Sequence, residues 1–367
     1  MTLIEKIRAY IESDQLTNEQ RKVCCQSGKF AVRACPGSGK TKTVGTRLAW
    51  RMATWKSRNS GVAALSFTNV AYEEIGQQLK SLGLPIQPGW PHFLGTIDSF
   101  VNQFIFLPFG HIVMGCNRRP EVVNDHNRAW VERNIVVNNL GDCYRKGCKS
   151  TYFSLEIGGG LRWCGPSRQP NCTRSRCCDM KSVMLKSGYA LPGDAMYFGL
   201  KILEEKPYLR KALVARFPEI IIDEAQDTSE TQVKIIELLA ESGCEIALVG
   251  DPDQSIFEFN GARPDLFQRF EQKWPSVPLS MNFRSSQNIC NATHRFSTLP
   301  GPAKAGSDYK DVAIRPLILI YPPGDETLVI DCFGKLLKDN NIERSKSAIL
   351  VRRHDMLTKV SGKVTAQ

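Results

Sequence analysis

No uninterrupted run of roughly 18 apolar residues occurs in this 367-residue sequence, so nothing in it reads as a helix built to span a bilayer. The amino-terminal stretch MTLIEKIRAYIESDQ has neither the basic start nor the apolar centre of a secretory leader. Neither a membrane nor a secreted location is expected. The 13 cysteines, odd in number and scattered, read as reduced thiols of a cytoplasm rather than as a disulfide framework. Internal repeats and low-complexity tracts are missing, which argues against a repeat array. Acidic residues are in short supply: 37 Asp and Glu face 48 Lys and Arg, leaving +11 and suggesting a polyanionic partner.

What is present is an ordinary globular composition, 42% hydrophobic and 23% charged, which excludes a collagen-like, coiled-coil or wholly disordered chain. At about 100 to 200 residues per domain, the length suggests two or three domains. The positive charge is concentrated. Between Gly141 and Lys186 nine basic residues face three acidic ones, so +6 of the +11 lies in one eighth of the chain.

From Lys29 to Phe67 the pattern runs short apolar strand (FAVRA), glycine loop (CPGSGK), helix (TKTVGTRLAWRMATW) and second strand (GVAALSF), the βαβ opening of a parallel sheet. Two further strands, EIII and EIALV, flank the helical stretch TSETQVKIIELLAESG much later and complete the same sheet. The intervening 101–195 reads as an inserted basic subdomain with seven cysteines and a strand at TYFSLEI. The expected organisation is thus a first α/β domain in two segments, 1–100 and 196–277, interrupted by the insertion. A partial second α/β domain over 278–367 follows, with strand, helix and strand at PLILIYP, DETLVIDCFGKLLKD and SAILVRR.

Ala34-Cys35-Pro36-Gly37-Ser38-Gly39-Lys40-Thr41 is a phosphate-binding loop with Ala at the usual first glycine. Glycines let successive N–H groups turn inward at a helix N-terminus, where the helix dipole also favours an anion. Lys40 would reach the β- and γ-phosphates and Thr41 would ligate Mg²⁺. In Ile220-Ile-Ile-Asp-Glu-Ala-Gln-Asp227, a buried-strand pattern ends on adjacent carboxylates, as at the carboxyl edge of a parallel sheet. Asp223 suits Mg²⁺ and Glu224 suits polarising an attacking water.

DEAQD resembles the signature of superfamily 1 helicases of the UvrD/PcrA/Rep type, and five other blocks agree in order. Leu16-Thr-Asn-Glu-Gln20 resembles their Q motif, Ser66-Phe-Thr-Asn69 with Ala71 motif Ia, and Gly95-Thr-Ile-Asp-Ser99 motif Ib. Val249-Gly-Asp-Pro-Asp-Gln-Ser-Ile-Phe257, continuing to Gly261-Ala262, resembles motif III, and Asn282-Phe-Arg-Ser285 motif IV. The resemblance implies RecA-like domains, ATP with Mg²⁺, and a DNA partner. It implies that Gln20 reads adenine while Lys42 and Phe283 sandwich it. Gln254 would sense the γ-phosphate, and Arg284 would act as an arginine finger. Single-stranded DNA would meet Phe67, Thr68, Asn69, Ser99, Phe257 and Phe259, stacking its bases on the aromatics. Taken singly these residues have duller readings: Thr17 and Gln20 form a capping box, the aromatics suit a core, and Arg284 suits a surface ion pair.

The sequence also departs from that pattern. Asp98 stands where motif Ib commonly has His, and Phe259-Asn260-Gly261 where motif III commonly runs Trp-Arg-Gly. No block resembling motifs V and VI is found, so the chain reads as the N-terminal half of a helicase. Two functions follow. One is an ATP-dependent 3′-to-5′ DNA helicase, in repair, recombination, mobile-element or anti-phage settings. The other is an ATP-gated DNA-binding module with little hydrolysis, a partner subunit supplying the missing motifs. A P-loop kinase or transporter ATPase leaves DEAQD, DPDQS and NFRS without explanation. Cys143, Cys148, Cys164, Cys172, Cys177 and Cys178 could supply thiolates for zinc or an iron–sulfur cluster, but no paired C-x2-C knuckles appear, and a reduced basic subdomain is the plainer reading.

Overall fold

The computed structural model describes residues 1–140, 149–165, 174–255, 263–320, 327–351 and 356–357. It divides into two units, Met1–Phe283 and Arg284–Gln367.

The first unit is built on a six-stranded sheet. Its strands are β1 (Phe30–Ala34), β2 (Val62–Ser66), β3 (Phe93–Thr96), β4 (Glu219–Ile222), β5 (Glu245–Gly250) and β6 (Ser276–Leu279). They lie in the order β6-β1-β5-β4-β2-β3, and every neighbouring pair is parallel. This is the sheet expected of a RecA-like nucleotide-binding domain. The central strands read as unbroken apolar runs because both faces are covered. Successive side chains take opposite faces: Ile220, Ile222, Ala63, Leu65, Ile246 and Leu248 enter one core, whereas Ile221, Val62, Ala64, Ala247 and Val249 enter the other. Helices α1 (Leu3–Glu12), α2 (Asn18–Cys25), α3 (Lys40–Thr54) and α4 (Asn69–Ser81) cover the second face. Helices over Pro192–Glu205, Glu230–Glu241 and Pro264–Lys273 cover the first.

Strand β6 is not among the strands expected from the sequence. Pro278 lies within it, which an edge strand tolerates because one row of its backbone groups needs no ladder partner.

The insertion is rooted in this core. A helical run, Ile97–Met114, is long and apolar enough by composition to cross a membrane. Its Ile97, Phe100, Val101 and Ile105 are nonetheless buried against the sheet's first face. Further out, Val123, Val131, Val136, Met180, Met184, Tyr189 and Leu191 form a small core of their own. The strand expected at TYFSLEI shortens to Phe153–Leu155, paired antiparallel with Leu161–Trp163. Two buried carboxylates organise the surrounding backbone. Glu132 accepts hydrogen bonds from Ser150 N–H (3.0 Å), Ser150 O–H (2.8 Å) and Thr151 N–H (3.2 Å). Asp194 accepts from Leu155 N–H (2.7 Å), Leu191 N–H (2.8 Å) and the Lys181 ammonium.

In the second unit helices form over Gln287–His294 and Thr327–Asp339, the latter within the expected helical stretch. The strands expected at PLILIYP and SAILVRR are a correction: Pro316–Ile320 and 347–351 have no strand. Ile318, Ile320 and Leu350 are about nine-tenths exposed, and a parallel strand needs neighbours that the described residues of this unit do not supply.

Candidate nucleotide and nucleic-acid site

The phosphate loop and the DEAQD carboxylates gather at the carboxyl edge of the sheet, where β1 and β4 end. After Ala34 the chain turns through Gly37 (φ 68°) and Gly39 (φ 74°), a left-handed geometry that a side chain would resist. Cys35 is buried, and its N–H donates to Leu279 O (3.0 Å), tying the loop to the edge strand β6. Gly39 caps α3 with no side-chain partner, so the helix's first N–H groups face the loop. The Ser38 hydroxyl is buried without a hydrogen-bond partner.

At the end of β4, Asp223 is fully buried and its N–H donates to Leu65 O (2.8 Å). Its Oδ1 accepts from Glu224 N–H (3.0 Å), but its Oδ2 has no partner. Burial, and next the neighbouring Glu224 charge, push its carboxyl up to about 7, against the opposing pull of Lys40, the Glu224 N–H and the Thr41 hydroxyl. A buried carboxylate oxygen without a protein partner, near the Thr41 hydroxyl, offers a ligand position for a cation. Among the described residues no group of three His, Cys, Asp or Glu could hold a metal unaided. Mg²⁺ held by one or two protein oxygens plus phosphates and water fits Asp223 and Thr41. Zinc finds no such support: Cys177 is buried while Cys164 and Cys178 are exposed, and Cys143, Cys148 and Cys172 lie outside the described residues.

Glu224 adopts φ 53°, ψ 42°, a left-handed conformation costly for a residue with a Cβ. Its carboxylate lies 3.5 Å from Lys40 Nζ and accepts from Gln226 Nε2 (2.8 Å). Gln226 is buried. Its Nε2 also reaches Asp227 Oδ2 (3.3 Å), and its Oε1 accepts from Asp251 N–H (2.9 Å). Asp251 in turn accepts from Gln254 Nε2, and Ser255 donates to Asp227 (3.3 Å). Burial pushes the Asp227 carboxyl up to about 6. Sequence reasoning misses Gln226, Asp227 and Asp251 as site residues, although DEAQD and DPDQ contain them; no pattern distinguishes a Gln that orients a carboxylate from one that merely follows it.

The expected adenine residues divide. Gln20 both completes the capping box, exchanging bonds with Thr17 (2.9 and 3.2 Å), and donates to Ser38 O (3.0 Å). The capping box is thus present, and the same side chain ties α2 to the phosphate loop. Phe283 is part-exposed and its N–H donates to Gly37 O (2.9 Å). Lys42 instead reaches Gln15 O (3.1 Å) beside the Tyr10 ring. Arg284 begins the second unit.

Of the expected DNA residues, Phe67 is half-buried and lines a cavity with Asp98 and Asp227. Thr68 caps α4 by accepting from Ala71 N–H (3.2 Å), and the Ser99 hydroxyl bonds back to Thr96 O (2.7 Å). Asn69 is exposed, and Phe257 and Phe259 lie outside the described residues.

This geometry agrees with what the sequence is similar to. Residues 16–131 and 174–275 match the model of the UvrD/REP helicase N-terminal domain. The chain belongs to the UvrD/REP helicase family. Curated relatives include DNA helicase II of Haemophilus influenzae, 26% identical over 77% of this chain and 40% of that protein. DNA helicase II of Escherichia coli is 25% identical over the same shares, and the ATP-dependent DNA helicase PcrA of Bacillus subtilis 24% identical over 75% and 38%. The chain thus spans about 40% of the length of these UvrD/REP relatives.

Proposed function

We propose that this chain is the ATP-binding part of an ATP-dependent DNA helicase or translocase, with hydrolysis stimulated by single-stranded DNA and movement 3′ to 5′. The observation that carries the reading is the orphaned Asp223 oxygen beside Thr41, Lys40 and Glu224. Bound Mg²⁺·ATP supplies the phosphoanhydride and neutralises charge developing on the transferred phosphoryl group. Asp223 and Thr41 hold the cation, and Lys40 exchanges Glu224 for phosphate oxygens. Freed from Lys40, the Glu224 carboxylate accepts a proton from the attacking water while Gln226 keeps it oriented. Ala34, Cys35, Pro36, Gly37, Ser38 and Gly39 wrap the phosphates, and Gln254 reports on the γ-position through Asp251. Gln20, Lys42 and Phe283 hold the base, and Arg284 serves as the arginine finger. Phe67, Thr68, Asn69, Ser99, Phe257 and Phe259 carry the strand. Repair, recombination, mobile-element or anti-phage work in the cytoplasm suits these relatives.

A second reading is an ATP-gated DNA-binding module with little hydrolysis, completed by a partner subunit. ATPase assays with and without single-stranded DNA separate the two. Strong stimulation, reduced about a hundredfold or more in Lys40→Ala and Glu224→Gln, supports the enzyme. Nucleotide-dependent DNA binding with negligible turnover supports the module.

A further inference from the structure

The cavity beside Phe67, about 430 Å³, has walls of mixed character: Phe67, Asp98, Asp227, Glu156, Arg128 and Arg162 all line it. It joins the sheet's carboxyl edge to the insertion, since Phe67 and Asp98 follow β2 and β3 while Arg162 belongs to the short hairpin. A phosphate placed among three carboxylates is repelled, and a peptide cation meets two guanidinium groups. What suits the carboxylate wall is a neutral hydrogen-bond donor attached to a flat apolar body, with its phosphates toward the arginines.

Asp98 is fixed as an acceptor. Gln232 Oε1 accepts from Ser229 N–H (2.9 Å), and the same amide's Nε2 donates to Asp98 Oδ1 (3.0 Å). The glutamine amide is thereby oriented from both ends, and it pins one oxygen of the carboxylate. Asp98 lines the cavity beside Phe67. We propose that this cavity takes a nucleobase of single-stranded DNA against Phe67, and that Asp98 selects bases carrying an exocyclic amine. A carboxylate accepts from cytosine N4 or adenine N6, whereas the carbonyl at the matching position of thymine or uracil meets it oxygen to oxygen. The proposal deepens the DNA-binding reading above and rests on it. It makes strand binding base-dependent at one subsite, where stacking alone accepts every base.

The test compares binding of short oligo(dC) and oligo(dU) to the full chain, with nucleotide bound. At the base edge these strands differ in the amine replaced by a carbonyl and in N3, which accepts in cytosine and donates in uracil. The expected result is oligo(dC) held about tenfold tighter, the scale of one hydrogen bond to a charged acceptor. Asp98→Asn, whose amide both donates and accepts, should bring the ratio close to one while ATP binding, followed with a fluorescent analogue, stays unchanged. Equal binding of the two strands by the unmodified chain, or a preference that survives in Asp98→Asn, overturns the assignment and leaves the DNA reading intact. Failure of both strands to bind removes the DNA reading itself. Should Asp98→Asn misfold, loss of ATP binding reveals it, and Gln232→Leu, which unpins the carboxylate, should likewise weaken the preference.

Discussion

Glu224 holds a backbone conformation that glycine adopts freely and other residues resist. Replacing it by Gly should therefore leave the protein about 1 kcal/mol more stable than replacing it by Ala, by urea denaturation, although both abolish hydrolysis. Gln226 touches no reacting atom in the proposed mechanism, yet it is the one described side chain, besides Lys40, that meets the Glu224 carboxylate. Gln226→Leu should lower kcat about 10- to 100-fold with the KM for ATP little changed, as expected when a catalytic carboxylate is no longer held in position. Asp223 supplies a pH signature. Its folded pKa, about 7, lies above the ordinary carboxylate value, so its neutral form favours folding below about pH 4. That contribution fades as pH rises through about 7, and thermal denaturation of the nucleotide-free protein should show a smaller decline in Asp223→Asn. Thiols divide in the same manner. Burial pushes Cys24 and Cys244 up to about 12, so a neutral alkylating reagent should label exposed Cys25 and leave both of them unmodified in the native protein.

Among the elements, the phosphate loop, α3 and strands β1, β2, β4 and β5 are legible because each agrees with its own local chemistry: apolar runs for strands buried on both faces, glycines for the turn, a Ser229 cap before Glu230–Glu241. What escapes depends on neighbours distant in sequence. Strand β6 forms because β1 lies beside it, overriding Pro278. The run at Pro316–Ile320, apolar enough to be read as a strand, has no strand beside it among the described residues. The positions of Asp223 and Glu224 at the end of a buried strand are legible in DEAQD, but the bonds of Gln226 are not, because they exist only through the groups it bridges. One long-range pairing has no sequence signal at all. Arg47, fully buried in α3, bonds Glu219 of β4 (2.8 Å) and the carbonyls of Val23 (2.7 Å) and Gln26 (2.6 Å). Glu219 also receives Arg51. Arg47→Ala should cost about 3 kcal/mol in chemical denaturation, because it leaves the buried Glu219 with Arg51 alone and takes the donor from the Val23 and Gln26 carbonyls.

For the molecule as a whole, the excess of positive charge is the property that a strand of DNA would feel first. Lys149 and Arg162, exposed members of the basic stretch, should each neutralise one phosphate. Replacing both by Gln should flatten the log–log salt dependence of single-strand binding by about 0.7 for each phosphate left without its cation, measured by titration at several salt concentrations. Ion pairs tie α3 to both ends of the β4 segment. Lys40 and Arg47 lie seven residues, about two turns, apart on one helix, and their partners Glu224 and Glu219 stand just past one end and at the other end of a single strand. The lower clasp is sealed from water and the upper one is half open. A ligand that draws the Lys40 ammonium away exchanges partners only at the open end, while the anchor of α3 on β4 stays out of solvent's reach.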